Sequence, residues 1–301
     1  MPFTELKMKP IRGMFVVLCI VASGSALVAA PKDFSGADAF AYTERAVALG
    51  PRPDGSSAIA KLRATIKAQL ATRGCEVTGD SFTAQTPEGP ISMENIIAKF
   101  PGKSGRAIVI SGHYDTKKLP GFVGANDGGS STGMLLEFAA ALQGRVRVDD
   151  VYVVFLDGEE AVRKEWAGTD NTYGSRHLAA KWLQDGTTRR IKGLINVDMT
   201  GDKNLRLVYD DNSTPSLRKL VWDVADSLGY SAAFPRQPTM MEDDHISFIT
   251  AGVRAVDLID FDSQSTFWHT PQDTMDKLDP HSFEIIGRVV MKSIEELEQQ
   301  K

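Results

Sequence analysis

Val151-Tyr152-Val153-Val154-Phe155-Leu156, running straight into Asp157-Gly158-Glu159-Glu160, decides how the rest of the chain is read. Six consecutive apolar residues, mostly β-branched or aromatic and closed by a glycine turn, predict a strand buried on both faces, the kind found in parallel sheets covered by helices. Two acids then stand at the carboxyl end of a core strand. In an open α/β sheet that end is where ligands bind, and adjacent side chains on extended backbone point to opposite sides. Glu159 and Glu160 are therefore expected to do different work, one holding a metal while the other moves a proton.

Upstream, the short apolar strand predicted over Ala107–Ser111 ends in Gly112-His113-Tyr114-Asp115. The stretch Ala125-Asn126-Asp127-Gly128-Gly129-Ser130 then opens a helix over Ser131–Leu142, which puts Asp127 at a helix N-terminus. Downstream, a strand over Ile191–Val197 delivers Asp198 to its end, and a strand over Val253–Ile259 leads into the loop that carries Trp268-His269-Thr270. Val77–Ala84 and Ile91–Phe100, joined by Thr86-Pro87-Glu88-Gly89-Pro90, predict a hairpin at the sheet edge. Helical spacing marks Ala37–Leu49, Ser57–Thr72, Ser175–Leu183, Pro215–Leu228 and Pro280 to about Glu298, and a short helix begins within Met241–His245. The first two helices read as scaffold, separated by the turn Gly50-Pro51-Arg52-Pro53-Asp54-Gly55. Strands alternating with helices imply an α/β fold: a doubly wound, mostly parallel sheet flanked by helices, with acids and histidines gathered along one edge.

The 301 residues suffice for one large core, and residues 31–301 are expected to form a single catalytic domain. Residues 1–30 differ: Lys7, Lys9 and Arg12 precede an apolar run from Met14 to Ala22, followed by small residues through Ala30. That is the layout of a signal peptide, too short for a membrane span, and it predicts export to a periplasmic or extracellular space. Removing Lys7, Lys9, Arg12 and Glu5, a net of +2, takes the formal charge from −5 to −7. Such an acidic chain argues against nucleic acid as a partner. Cys19 lies in the leader, which leaves Cys75 without a disulfide partner. The mature chain is expected to carry no membrane span and to be a monomer held together by its core.

Catalytic zinc takes nitrogen and oxygen ligands from three side chains and keeps one position open. Asp127, Glu160 and His269 supply that set, and His113 with Asp198 would complete a second metal site. His177 and His281 read as structural residues, Trp182 and Trp222 as core, and His245 as either packed beneath Asp243 or part of the pocket.

Gly112-His113-Tyr114-Asp115, Asn126-Asp127, Asp157-Gly158-Glu159-Glu160 and Trp268-His269-Thr270 resemble the zinc-dependent exopeptidase superfamily, which includes bacterial aminopeptidases. Within it, Phe122–Asp127, Asp157–Ala161, Tyr173–Lys181, Asp243-Asp244-His245-Ile246 and Trp268–Thr270 resemble the animal-type glutaminyl-peptide cyclotransferases. The likeness runs from about Gly50 to the C-terminus. It implies one zinc held by Asp127, Glu160 and His269, with Glu159 transferring the proton. It further implies that Asp198 and Asp243 hydrogen-bond near that glutamate and that Trp166 and Trp268 line the substrate pocket. The substrates implied are peptide or protein N-termini bearing glutamine. Three departures stand out: a longer loop between Glu160 and Trp166, Glu242 where a glutamine is usual, and no cysteine pair near the site.

The chemistry is consistent with these roles. Cyclising an N-terminal glutamine needs an electrophilic amide carbonyl, a neutral α-amine and a protonated leaving nitrogen, which a Lewis acid and a carboxylate beside it can provide. A carboxylate such as Asp198 is expected to raise the pKa of Glu159. Two other readings stand beside this one: a two-zinc aminopeptidase using all five potential ligands, and a non-catalytic exported peptide- or metal-binding protein.

Overall fold

Six strands form the main sheet in the order β1 (Glu76–Thr86), β2 (Gly89–Phe100), β4 (Asp150–Leu156), β3 (Ala107–His113), β5 (Ile191–Asp198), β8 (Ala255–Ile259). This computed structural model describes residues 1–4, 32–261 and 266–300. The expected signal peptide thus falls, from residue 5 onward, outside the described residues. β4, β3, β5 and β8 are mutually parallel, while the β1–β2 hairpin is antiparallel and adds to the β4 edge. A second pairing, β6 (Tyr209–Asp210) with β7 (Pro238–Thr239), is too short to leave a periodic signal in the sequence.

Every residue of β4 is buried, as the unbroken apolar run requires of a strand covered on both faces. Alternate side chains feed two cores. Ile108, Ile110, Val153, Phe155, Ile195 and Val256 pack under α1 (Gly36–Val47), α2 (Ser57–Leu70), α3 (Gly129–Leu142), α5 (Pro215–Ser227) and α7 (Pro280–Gln299). Val109, Tyr152, Val154, Leu156, Leu194 and Ala255 pack under α4 (Tyr173–Asp185) and α6 (His245–Thr250). Helices on both faces make the sheet doubly wound. Caps fix the helix starts: the Ser35 and Ser56 hydroxyls accept N–H groups at the starts of α1 and α2, and Asp279 with Pro280 opens α7.

The residues given structural readings behave accordingly. Trp182 and Trp222 are buried, and the Trp222 indole donates to the Pro235 carbonyl at 2.9 Å. His177 stacks on Phe82 at 4.3 Å, and His281 begins α7 with its N–H on Asp279. Cys75 is a free, half-buried thiol. Among the described residues no helix is long and apolar enough to cross a membrane.

Parallel strands end on the same edge, so β3, β4, β5 and β8 all deliver their following residues to one side. His113 closes β3, Glu159 and Glu160 follow β4, Asp198 closes β5, and the loop after β8 carries His269. One rung below that edge lies a polar row: Ser111, Asn196 and Asp257 are register partners across β3, β5 and β8.

Candidate active site

All eight residues singled out in the sequence, Asp127, Glu159, Glu160, Trp166, Asp198, Asp243, Trp268 and His269, line one cavity of about 360 Å³ at the carboxyl edge of the sheet. The ligand atoms of Asp127, Glu160 and His269 lie within 4.8 Å of one another. His269 Nε2 is 3.0 Å from Glu160 Oε1 and 3.3 Å from Asp127 Oδ2. His113 Nε2 is 3.0 Å from Asp198 Oδ1 and 3.3 Å from Asp127 Oδ1, so Asp127 stands between two such groups.

Each element brings its residue in by a local device. Asp127 precedes α3 through Gly128, whose φ of +78° suits glycine; a Cβ there would lie 2.1 Å from the Asp115 carbonyl oxygen. The turn after β4 is held from beneath by Asp115, whose carboxylate accepts the N–H of Glu159 at 3.2 Å and of Glu160 at 3.1 Å. With the backbone pinned, the two glutamates diverge. Glu160 faces His269 and Asp127, while Glu159 Oε2 lies 3.9 Å from His113 Nδ1. His269 itself sits at φ +52°, uncommon for a residue with a Cβ. Its ring is clamped by Trp268 stacked at 3.9 Å and by Phe122 edge-on at 5.7 Å.

Burial controls the electrostatics. Burial first, then the charges of Glu160, Asp243 and Asp244, hold the Glu159 carboxyl well above the usual carboxylate range, with His113 pulling the other way. The carboxylates leading that effect are thus Glu160, Asp243 and Asp244, where the sequence offered Asp198 as the example. Asp198 rises to about 7 through burial, which outweighs the His113 charge, with Asp243 and Asp127 adding to the rise. For His269 burial acts downward, yet hydrogen bonds to Asp127 and Glu160 outweigh it and lift the imidazole to about 10. Asp127 is held low by His113 and His269 against its own burial.

Asp243 was expected beside the glutamate, and its carboxylate is fixed by a donor that sequence reasoning missed. The Asn196 side-chain amide donates to Asp243 Oδ2 at 3.0 Å and to Asp257 Oδ1 at 3.1 Å, while its oxygen accepts the Ser111 hydroxyl at 2.8 Å. A polar residue interrupting the apolar run of β5 is the signal that could have found it. His245 lies packed beneath, fully buried, with Nε2 3.1 Å from Asp210. Asp273 gave no signal at all, yet it accepts the N–H of Asn126 at 2.8 Å and of Asp127 at 3.1 Å, tying the His269 loop to the Asp127 loop. Arg52, in a turn read as scaffold, is buried and donates to the carbonyls of Val123 and Gly124 just before Asp127. Lys117, also fully buried, brings its ammonium within 3.6 Å of Glu160 Oε2.

The donor set fits a metal ion. Two carboxylates and an imidazole from three separate elements converge, and two of the buried anionic oxygens have only distant cationic groups beside them: His269 Nε2 at 3.3 Å from Asp127 Oδ2 and the Lys117 ammonium at 3.6 Å from Glu160 Oε2. Buried anionic oxygens left this way are costly unless a cation compensates them. Trp268 is 37 % exposed and meets Phe261 edge-on at 5.0 Å, so the mouth of the cavity is aromatic. Trp166, half-buried, lines the same cavity.

Comparison with known proteins agrees with this architecture. Residues 95–294 match the model of peptidase family M28, so the chain belongs to that family. A glutaminyl-peptide cyclotransferase of Drosophila melanogaster is 31% identical over 259 residues, covering 77% of this chain and 73% of the relative. A glutaminyl-peptide cyclotransferase-like protein of Mus musculus is 32% identical over 272 residues, covering 79% and 70%. The crystal structure of an Acidobacteriales bacterium glutaminyl cyclase superposes with a TM-score of 0.84 at 38% identity, over 93% of this chain and all of that one. Within family M28, the chain belongs to the glutaminyl-peptide cyclotransferases.

Proposed function

We propose that this protein converts the N-terminal glutamine of peptides to pyroglutamate with release of ammonia, using one zinc held by Asp127, Glu160 and His269. The observation that carries the reading is the divergence of two adjacent glutamates around one cavity: Glu160 among the ligand atoms, Glu159 free of them and with a raised pKa. Zinc, when bound, supplies Lewis-acid polarisation of the glutamine side-chain carbonyl.

The chain's own residues do the rest. Glu159 takes a proton from the α-amine, and the amine nitrogen attacks the γ-carbonyl carbon to form the new C–N bond. Glu159 then returns the proton to the amide nitrogen, whose bond to carbon breaks as ammonia leaves. A carboxyl with its pKa raised toward the working pH suits both halves of that transfer. Asn196 positions Asp243 and His113 positions Asp198, both in the wall of the same cavity as Glu159. Trp166 and Trp268 wall the side-chain slot and exclude water that would hydrolyse the activated amide. The same reading has a monomeric enzyme working after export, as residues 1–30 lead one to expect.

A two-zinc aminopeptidase is the second reading, because His113, Asp127 and Asp198 also bring their ligand atoms within 4.8 Å. Purified protein given a Gln-initiated and a Leu-initiated peptide separates the two. Ammonia from the first with no free leucine from the second is expected, together with one zinc per chain by elemental analysis, unchanged in His113→Ala. Free leucine at a comparable rate, or two metals lost together in His113→Ala, would favour the peptidase.

A further inference from the structure

A second depression, of about 450 Å³, opens beside the catalytic cavity and shares three residues with it: Trp166, Glu242 and Asp243. It runs outward along the seam between α4 and α6. Its floor is apolar, formed by Ala179, Ala180 and Leu183 of α4 and Ile246 of α6. Leu183 is 54 % exposed there, one of few large apolar side chains left open to solvent among the described residues. The seam is preformed, since Trp182 of α4 packs on Phe248 of α6 at 5.8 Å and the Ser175 and Ser247 hydroxyls meet at 3.2 Å.

Resting on the proposed activity, we infer that this groove binds residues two to four of the substrate peptide and favours apolar side chains at positions three and four. The direction follows from covalent connectivity. The α-amine and the onward peptide chain leave the same Cα, so a substrate whose amine is beside Glu159 and Asp243 must start its second residue there. The groove begins at Asp243. The length fits too: from Arg176 to Leu183, α4 rises ~10 Å, which an extended peptide spans in about three residues. An aliphatic floor on two packed helices favours apolar side chains and costs little reorganisation on binding.

The test uses the zinc-loaded protein and three substrates: Gln-Ala-amide, Gln-Ala-Leu-Leu-amide and Gln-Ala-Asp-Asp-amide. The leucine peptide is expected to show a KM roughly 10-fold below the dipeptide at unchanged kcat, about 1.4 kcal/mol of added binding, while the aspartate peptide shows no gain. Ala180→Glu and Leu183→Glu, both at exposed positions, should erase the gain and leave dipeptide kinetics as they were. Equal KM for all three substrates, or a gain that survives both substitutions, overturns the inference. Calorimetry with Glu-Ala-amide against Glu-Ala-Leu-Leu-amide reads the same ratio without turnover, so an absence of ammonia would count against the activity and not against the groove. Sedimentation of wild type and Ala180→Glu adds a last arm. A dimer broken by the substitution would make the groove a self-interface and refute the peptide assignment.

Discussion

Asp273→Asn removes one oxygen from the clamp that joins two of the three ligand-bearing loops. In the native protein the Asp273 carboxylate takes two backbone donors, the N–H groups of Asn126 and Asp127, and the Asp273 carbonyl takes a third, from Ala125 at 3.2 Å. Asparagine keeps the shape but can accept on one side only. Its NH₂ must face one of the two N–H groups, leaving a buried donor unpaired at a cost of about 1–3 kcal/mol. For a chain of this size, a mid-range loss of about 2 kcal/mol lowers the melting temperature by roughly 3–4 °C. The metal should feel it as well. Asp127 and His269 sit on the two loops being joined, and removing outer partners of ligands typically weakens metal affinity by about 10–100-fold.

Circular dichroism melting of the metal-free protein reads the first effect, and chelator competition for zinc reads the second. A variant that melts lower but keeps native zinc affinity would reduce Asp273 to a scaffold residue. Melting and affinity both indistinguishable from wild type would refute the clamp altogether.

Three further outcomes are expected. Glu159→Gln should keep zinc and fold while kcat drops by about 10²-fold or more, since the proton carrier is lost and no ligand is touched; near-normal turnover would sink its role. Trp268→Ala should raise KM for glutamine peptides without emptying the zinc site, because Phe122 still holds His269 edge-on; full metal loss on dialysis would show that the indole stack is the main support of that ligand. Asn196→Leu strands Asp243, Asp257 and Ser111 in the buried row, so a melting temperature several degrees lower together with reduced kcat is expected, and unchanged activity would detach Asn196 from the site.

What could be read from the sequence follows a physical divide. The apolar run of β4, the helix start after Asp127 and the acid closing β5 are local patterns, and local patterns place a side chain along its own element. Parallel strands then oblige those ends to share an edge, which is why residues from five separate segments meet in one cavity. The supports follow no such rule. Asp115 and Asp273 act on backbone N–H groups far away in sequence, and an acid doing so looks like any loop acid until the chain is folded. Arg52 is the sharpest instance: it stands between two prolines in a turn, yet it is buried and its two terminal nitrogens donate to three carbonyls, those of Gly50, Val123 and Gly124. The raised pKa of Glu159 was likewise legible in kind but not in source: burial leads it and Asp243 and Asp244 add to it, residues whose nearness to Glu159 is visible only once the chain is folded.

The supports and the chemistry also share one electrostatic cause. Backbone N–H groups in the turns and loops that follow strands lack ladder partners and need acceptors, and acids such as Asp115 and Asp273 provide them while carrying negative charge into the interior. The ligands add Asp127 and Glu160, and Asp243 and Asp198 stand on the other side. Against these acids the nearby cationic groups, Lys117, Arg52 and the two histidines, are few and mostly engaged. A divalent cation held, as proposed, by Asp127, Glu160 and His269 would relieve much of that imbalance, since a full charge in a low-dielectric site interacts strongly with several carboxylates at once. Burial, reinforced by the same acid excess that would favour a bound cation, keeps the neighbouring Glu159 carboxyl reluctant to ionise, which suits it to the proton-carrying role proposed for it.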